Sequence, residues 1–485
     1  LDVGMASKPS NIDVSKLKRG PIVTALIIGA FVAILNETLL NIAFPDLMID
    51  FNIEATTVQW LSTAYMLVVG ILVPITALLQ QWFTTRQMFI GAMVLFLAGT
   101  IICGVAPVFG VMLLGRVIQA LGTGLMLPVL MNTILIIFPP ENRGAAMGMI
   151  GLVIMSAPAI GPTLSGLIVD SLDWRWLFYL IIPLAAFSII FALIFLKNVT
   201  DLTKPKVSIL SILLSSIGFG GVVYGFSRAG EHSWSDPTVI WCIVIGVVTL
   251  ILFVIYQFML KEPMLDMRTF KFPMFSLVTV LMLIMMMAMF STMIMLPLFL
   301  QNALLMTALS AGLVMMPGGI LNGLMAPISG KLFDKYGPRA LIIPGLILMV
   351  ISIFLFSQVK STWGGGYVIF LHVLMMLGIS MVMMPAQTTG LNQLPKRYYA
   401  HGTALMNTLT QVAGAIGTAL FISIMSSGSK DYVASTGDTN PIEAMVAGLH
   451  DAFFVGFILA IIALVVSFFV KRTTSPQEDK QEGAA

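Results

Sequence analysis

Apolar runs of about twenty residues or more, separated by short polar stretches, recur along the whole 485-residue chain. A helix needs about 20 apolar residues to cross the hydrocarbon core of a bilayer. The pattern predicts fourteen such spans, at 21–45, 58–80, 87–106, 109–136, 143–169, 175–196, 208–227, 238–260, 273–299, 308–330, 338–357, 364–389, 400–427 and 450–470. The alternating ten-residue segments of an outer-membrane barrel are absent from the sequence. Residues 1–20 are polar and lead straight into the first span. That span is too long for the apolar core of a signal peptide, so a cytoplasmic N-terminal segment is expected.

Lys and Arg set the orientation of such a chain. With the N-terminus inside and the spans alternating, the cytoplasmic pieces hold 20 Lys and Arg and the external pieces four, Arg175, Arg228, Lys360 and Lys430. One span more or fewer would scramble that split. Both termini are therefore expected on the cytoplasmic side of the membrane.

A weak internal repeat runs through the chain. Residues 74–86 (PITALLQQWFTTR) resemble 327–339 (PISGKLFDKYGPR) at an offset of 253; Gly122 and Gly378 lie 256 apart, as do Gly161 and Gly417. Parallel six-helix repeats, with a binding site between the halves near the midplane, are a transporter architecture. The expected organisation is a segment 1–20, a six-helix bundle 21–196, a linker 197–272 carrying two extra spans, a second six-helix bundle 273–470 and a tail 471–485.

Charge refines the picture. Only two charged side chains fall deep within a predicted span, Glu37 in the first and Arg116 in the fourth. A charge at the bilayer centre costs at least about 2.5–3.5 kcal/mol, so intramembrane ionisable groups are functional by default. Counted from the external helix ends, both lie about 12–14 Å deep and share a level. Burial and the attraction of a nearby Arg act in opposite directions on a carboxyl group, and a group balanced between them can load and release a proton. The alternative is a structural ion pair locking two helices. His372 occupies the repeat position of Arg116, as a titrating group or as a hydrogen-bonded packing residue.

Composition closes off other classes. The chain is 58% hydrophobic and 10% charged, against about 25% charge in soluble domains, which excludes a soluble enzyme and a nucleic-acid binder. A net charge of +3 implies no polyanionic partner, and Cys103 and Cys242 form neither a disulfide framework nor a metal site. No phosphate loop, zinc motif or catalytic triad occurs, so no metal or cofactor is expected.

Several motifs resemble one family. Leu35-Asn36-Glu37-Thr38-Leu39-Leu40-Asn41-Ile42-Ala43-Phe44-Pro45 resembles the helix 1 signature of the fourteen-helix drug–proton antiporters of the major facilitator superfamily, the EmrB/QacA type. Arg116-Val117-Ile118-Gln119-Ala120-Leu121-Gly122-Thr123-Gly124 is similar to its helix 4 signature, and Ala157-Pro158-Ala159-Ile160-Gly161-Pro162-Thr163-Leu164-Ser165-Gly166 to its helix 5 antiporter signature. Asp173-Trp174-Arg175-Trp176 matches the run that opens helix 6. In detail the chain resembles the LmrB-like lincomycin-resistance exporters. Two departures stand out. Glu37 replaces the usual Asp, and the first gating loop is degenerate, with Gln81 at the position of the acid. The second copy keeps Gly330, Asp334, Gly337 and Arg339, so Asp334 and Arg339 are expected to carry more of the gating.

Pro158 and Pro162 each remove a helical hydrogen bond, while Gly161 and Gly166 admit a close neighbour, as a seal or pivot would need. The 35 methionines, with Met286 and Phe290 in the ninth span, suit surfaces that re-pack around unlike ligands. Asn36, Thr38, Asn41, Gln59, Trp60, Tyr65, Gln119, Asn132, Phe178, Gln387, Asn407 and Gln411 complete the expected cargo contacts. The resulting expectation is a monomeric multidrug exporter driven by the proton gradient, with Glu37 carrying the proton and neutral or monocationic amphipathic cargo. A dedicated exporter of an endogenous metabolite, lipid or signalling molecule is the alternative.

Overall fold

The computed structural model describes residues 18–473 except 54, 59, 201, 203–207 and 232–233. These residues form helices and no strands. The long helices are α1 (Arg19–Leu39), α2 (Trp60–Trp82), α3 (Thr85–Gly104), α4 (Phe109–Ile137), α5 (Arg143–Ser171), α6 (Trp176–Phe195), α7 (Ile209–Glu231) and α8 (Pro237–Met259). They continue with α9 (Pro273–Leu298), α10 (Ala308–Tyr336), α11 (Arg339–Phe356), α12 (Gly365–Asn392), α13 (Tyr399–Thr436) and α14 (Pro441–Ser467).

Among the described residues twelve helices are long and apolar enough to cross a membrane. The fourteen spans expected from the sequence are not reached. α5 and α9 lie outside the twelve, and each includes residues whose side chains are not described. Two expected boundaries also move. α13 runs to Thr436 and α14 starts at Pro441, whereas hydropathy placed these limits at 427 and 450. Polar residues extend both helices until Gly437 adopts a left-handed conformation, φ 70°, and Asn440 accepts a hydrogen bond from Ile442 N at 3.1 Å to cap α14.

The packing repeats. α1 contacts α4, α5 and α6; α9 contacts α12, α13 and α14. In the same way α3 packs on α4 and α6 as α11 packs on α12 and α14, and α2 on α4 as α10 on α12. Raising each index by eight converts one set of neighbours into the other. Between the sets, α5 packs on α10 and α2 on α13, a pair of contacts that the same operation exchanges. α7 covers the α2–α13 seam and carries α8 on its outer side.

Both ends of the described chain lie at one end of the bundle, termed basal here. Arg19 lies over the Phe138 ring, 5.6 Å from its centroid, and Phe138 O accepts from Arg143 Nε at 3.0 Å. Thr473 Oγ1 donates to Thr389 O at 2.7 Å, three residues from Asn392, which also binds Arg143.

Candidate functional site

Glu37 sits in the last turn of α1, half-buried. The α-helix stops two residues later, where Leu40–Ala43 tighten into a 3-10 turn before a short helix resumes at Phe44–Asp50. Such a turn within a continuous helical run is a common place for a hinge.

Arg116 is fully buried on α4. Its Nη1 donates to Gln119 Oε1 at 2.9 Å and its Nε to Leu61 O at 3.4 Å. The guanidinium lies over Tyr65, 4.1 Å from the ring centroid, a stacking that planar Arg favours. The network continues outward. Gln119 Nε2 donates to Thr100 Oγ1, Thr100 Oγ1 to Phe96 O, and Tyr65 OH to Thr123 Oγ1, each at 2.7 Å. Glu37, Tyr65 and Arg116 lie within electrostatic reach of one another, yet no ion pair within 4.0 Å joins Glu37 to Arg116 among the described residues. The expected pair is therefore close but not locked, because Gln119, Leu61 and Tyr65 already hold the guanidinium.

The residue after Glu37 fastens α1 to α5. Thr38 Oγ1 donates to Leu35 O at 2.9 Å and lies 3.5 Å from Ala157 O. Ser165 Oγ donates to Leu39 O at 2.6 Å. Gly161 faces Thr38 so closely that a Cβ there would overlap Thr38 Oγ1 and Cβ. The first and fifth helix motifs thus mate with each other. Pro158, Pro162 and Gly166 belong to α5, but their surroundings lie outside the description, as do the side chains of Asn41 and Phe290; Gln59 is itself undescribed.

At the basal end the halves are tied together. Asp334, near the end of α10, accepts hydrogen bonds from Gly144 N and Ala145 N, both at 2.8 Å. These are orphan donors of the first turn of α5, where a carboxylate is favoured. Gly330 packs on Gly144 backbone to backbone, leaving no room for a side chain at either. Arg143 donates Nη1 to Asn392 Oδ1 at 2.9 Å and Nη2 to Tyr399 OH at 2.8 Å. Arg339 does not take part in this contact. Its Nε and Nη2 donate to Val470 O and Phe468 O, at 2.6 and 2.9 Å, stapling the end of α14 within its own half. Gly337, with φ 84°, turns the chain into α11 beside Arg472.

The degenerate loop has a counterpart to the Asp334 contact. Gln81 is offset from Asp334 by 253, and its Nε2 lies 3.4 Å from Nε2 of His401 on α13; His401 is 256 residues beyond Ala145. His401 Nδ1 accepts from Asp266 N at 3.3 Å. Deeper in the interface, Gln387 Nε2 and Asn407 Nδ2 lie 3.3 and 3.4 Å from the sulfur of Met131.

Other expected contacts fall elsewhere. Phe178 is fully buried inside the first half beside Trp174, ring centroids 6.2 Å apart. Trp60 is partly exposed and meets Tyr224 of α7 at 5.9 Å. Asn132 Nδ2 donates to Gln80 Oε1 at 2.6 Å, linking α4 to α2 within one half. Met286 is core, Gln411 is half-buried on α13, and Asn36 is buried with Nδ2 unpaired among the described residues. His372 packs against Gly318 as a helix-packing residue, but its Nδ1 lacks the hydrogen bond expected of it. Nothing in the sequence alone singles out Arg143, Met131 or His401. Arg143 is one of the 20 cytoplasmic cations, and only the repeat offset applied to the partners of Asp334 points to His401.

The comparisons agree with this architecture. Lincomycin resistance protein LmrB of Bacillus subtilis is 52% identical over 460 residues, covering 93% of this chain and 96% of its own. The protein of the same name from Listeria innocua is 51% identical, covering 94% and 98%. Among solved structures, the human organic anion transporter MFSD10 superposes with a TM-score of 0.67 at 13% identity, over 92% of this chain and 99% of that one. The sequence profile of the Major Facilitator Superfamily matches residues 26–418. The chain therefore belongs to that superfamily, whose members are transporters rather than enzymes, and it is a multi-pass membrane protein.

Proposed function

We propose that this transporter is a proton-coupled efflux antiporter of the fourteen-span EmrB/QacA type, exporting neutral or monocationic amphipathic compounds, lincosamides among them. In this reading all fourteen long helices cross the bacterial plasma membrane, the basal end faces the cytoplasm, and 21–196 and 273–470 rock about the site between them. The observation that carries the coupling role is the placement of Glu37. It is a carboxyl group within electrostatic reach of a fully buried Arg116, beside the α1 break and the Thr38–α5 contact.

The cycle follows from these contacts. Facing outward, Glu37 takes a proton, its attraction to Arg116 falls away, and the α1 hinge relaxes against α5. Gly161, at the Thr38 contact, and Gly144, at the Asp334 contact, are 17 residues apart on α5, about 26 Å of continuous helix. α5 thus runs from the proton site to the basal gate as one helical element, through which the two can be coupled. Facing inward, Glu37 releases the proton to the cytoplasm and cargo binds. One proton across about 150 mV supplies about 3.5 kcal/mol, enough for a few-hundred-fold gradient of a neutral compound.

The test uses purified protein in liposomes with a pH-sensitive dye inside and an imposed proton gradient. Lincomycin should trigger proton flux in the wild type and none in Glu37→Gln, which keeps the shape and removes the charge. Equal flux in the two proteins refutes the role of Glu37. Absence of flux with lincomycin and lipophilic cations alike favours a dedicated metabolite exporter.

A further inference from the structure

Met131 lies on α4, six residues before its basal end; Gln387 lies on α12, five before its basal end; Asn407 lies eight residues into α13. The amide nitrogens of Gln387 and Asn407, both from the second half, converge on the thioether of Met131, from the first, at 3.3 and 3.4 Å. Gln387 and Met131 are almost fully buried. Thioether sulfur is only a weak acceptor, and Gln387 Oε1 has no partner at all among the described residues. Gln387 is therefore under-satisfied where it is buried, and the half-buried Asn407 beside it spends an amide N–H on the same weak acceptor. Buried polar groups left so need a reason.

Their position supplies one. Met131 and Gln387 are separated by 256 residues, the repeat offset, so each meets its own repeat mate on the pseudo-twofold axis. The cluster stands directly above the Arg143–Asn392–Tyr399 contacts. Because the cluster joins the two halves, parting them at the basal end would break its sulfur contacts and leave both amides open.

We propose that Gln387 and Asn407 form the polar subsite for neutral cargo that carries amide or hydroxyl groups, and that Met131 is the internal competitor for it. The inference rests on the export reading above and names the cargo chemistry at the same interface. With the basal end open, cargo oxygens and N–H groups satisfy the amides better than sulfur does. As the gate closes, the flexible Met131 side chain enters and takes over the amide donors, so cargo affinity falls as the site turns outward. A lipophilic cation without hydrogen-bonding groups gains nothing from this subsite.

The experiment is equilibrium binding to purified full-length protein, with lincomycin and tetraphenylphosphonium as probes and monodispersity as the folding control. Gln387→Leu and Asn407→Leu should each weaken lincomycin at least about tenfold and leave tetraphenylphosphonium within about twofold. Met131→Leu preserves volume and removes the sulfur, and should tighten lincomycin about fivefold. A damaged protein would not show that opposite sign. Equal weakening of both probes, no weakening of either, or looser lincomycin binding in Met131→Leu overturns the proposal, as does a wild type that binds no lincomycin. A wild type that binds lincomycin without proton flux refutes antiport instead, and the binding ratios still decide the subsite.

Discussion

Asn in place of Asp334 isolates the electrostatic part of the basal contact. The carboxylate accepts from Gly144 N and Ala145 N, 2.8 Å each. The amide keeps one acceptor but turns its NH2 toward the other N–H, so one bond and the charge at the α5 N-terminus are lost. A hydrogen bond to a charged group contributes about 1.5–3 kcal/mol, and a charge at a helix terminus about 0.3–1 kcal/mol. Asp334 is half-exposed, and solvent screening brings the sum to about 1–2 kcal/mol. The open basal state should then rise about 5- to 30-fold relative to the closed one. Met384 is a suitable reporter, since its side chain is buried against Gly151 of α5 across the interface. In a protein with Cys103 and Cys242 replaced by Ala, the rate at which Met384→Cys reacts with maleimide follows the open fraction. If Asp334→Asn reacts at the parent rate while Arg143→Ala reacts faster, the carboxylate is not what holds the gate.

Three further outcomes can be checked. Gly161→Ala forces a methyl into Thr38 and should cost about 1–3 kcal/mol by overpacking, with part of the lost thermal stability returned by Thr38→Ala; an unchanged melting temperature would show that the helices part without cost. Tyr399→Phe removes one hydrogen bond from the buried Arg143, about 1.5–3 kcal/mol, and should raise Met384→Cys labelling at least about tenfold; labelling at the parent rate would show that the Tyr399 bond does not hold the gate, leaving Asn392 as the partner of Arg143 across the interface. Gln119→Leu strips Arg116 of its Nη1 partner, and the freed guanidinium should turn to Glu37, so proton flux should fall while the fold survives; undiminished flux would mean that Gln119 does not set the position of Arg116.

The sequence revealed what depends on periodicity and depth. Repeat offsets of 253 and 256 reappear as neighbour lists shifted by eight helices, and counting depth brought Glu37 and Arg116 to one level. Facing was less legible. Helices that are apolar all round carry no stripe to say which side turns inward, so Phe178 and Trp60, aromatic and well placed along the chain, proved to be a core residue and a contact of α7. The ends of α13 and α14 escaped for another reason: Ser, Lys, Asp and Thr beyond residue 427 end the apolar run without ending the helix. Arg143 looked like any loop cation until Asn392 and Tyr399 arrived from the other half.

Arg143 and Tyr399 are also 256 residues apart, as are Met131 and Gln387. On a twofold axis every position faces its own copy. A chain made of two copies of its first half would set one arginine against another at the first place and sulfur against sulfur at the second. Like charges at such range repel, and two thioethers offer no donor. Two copies of the first half would lose both contacts. At the axis, then, the contacts that tie these halves together are made by residues in which the two copies differ.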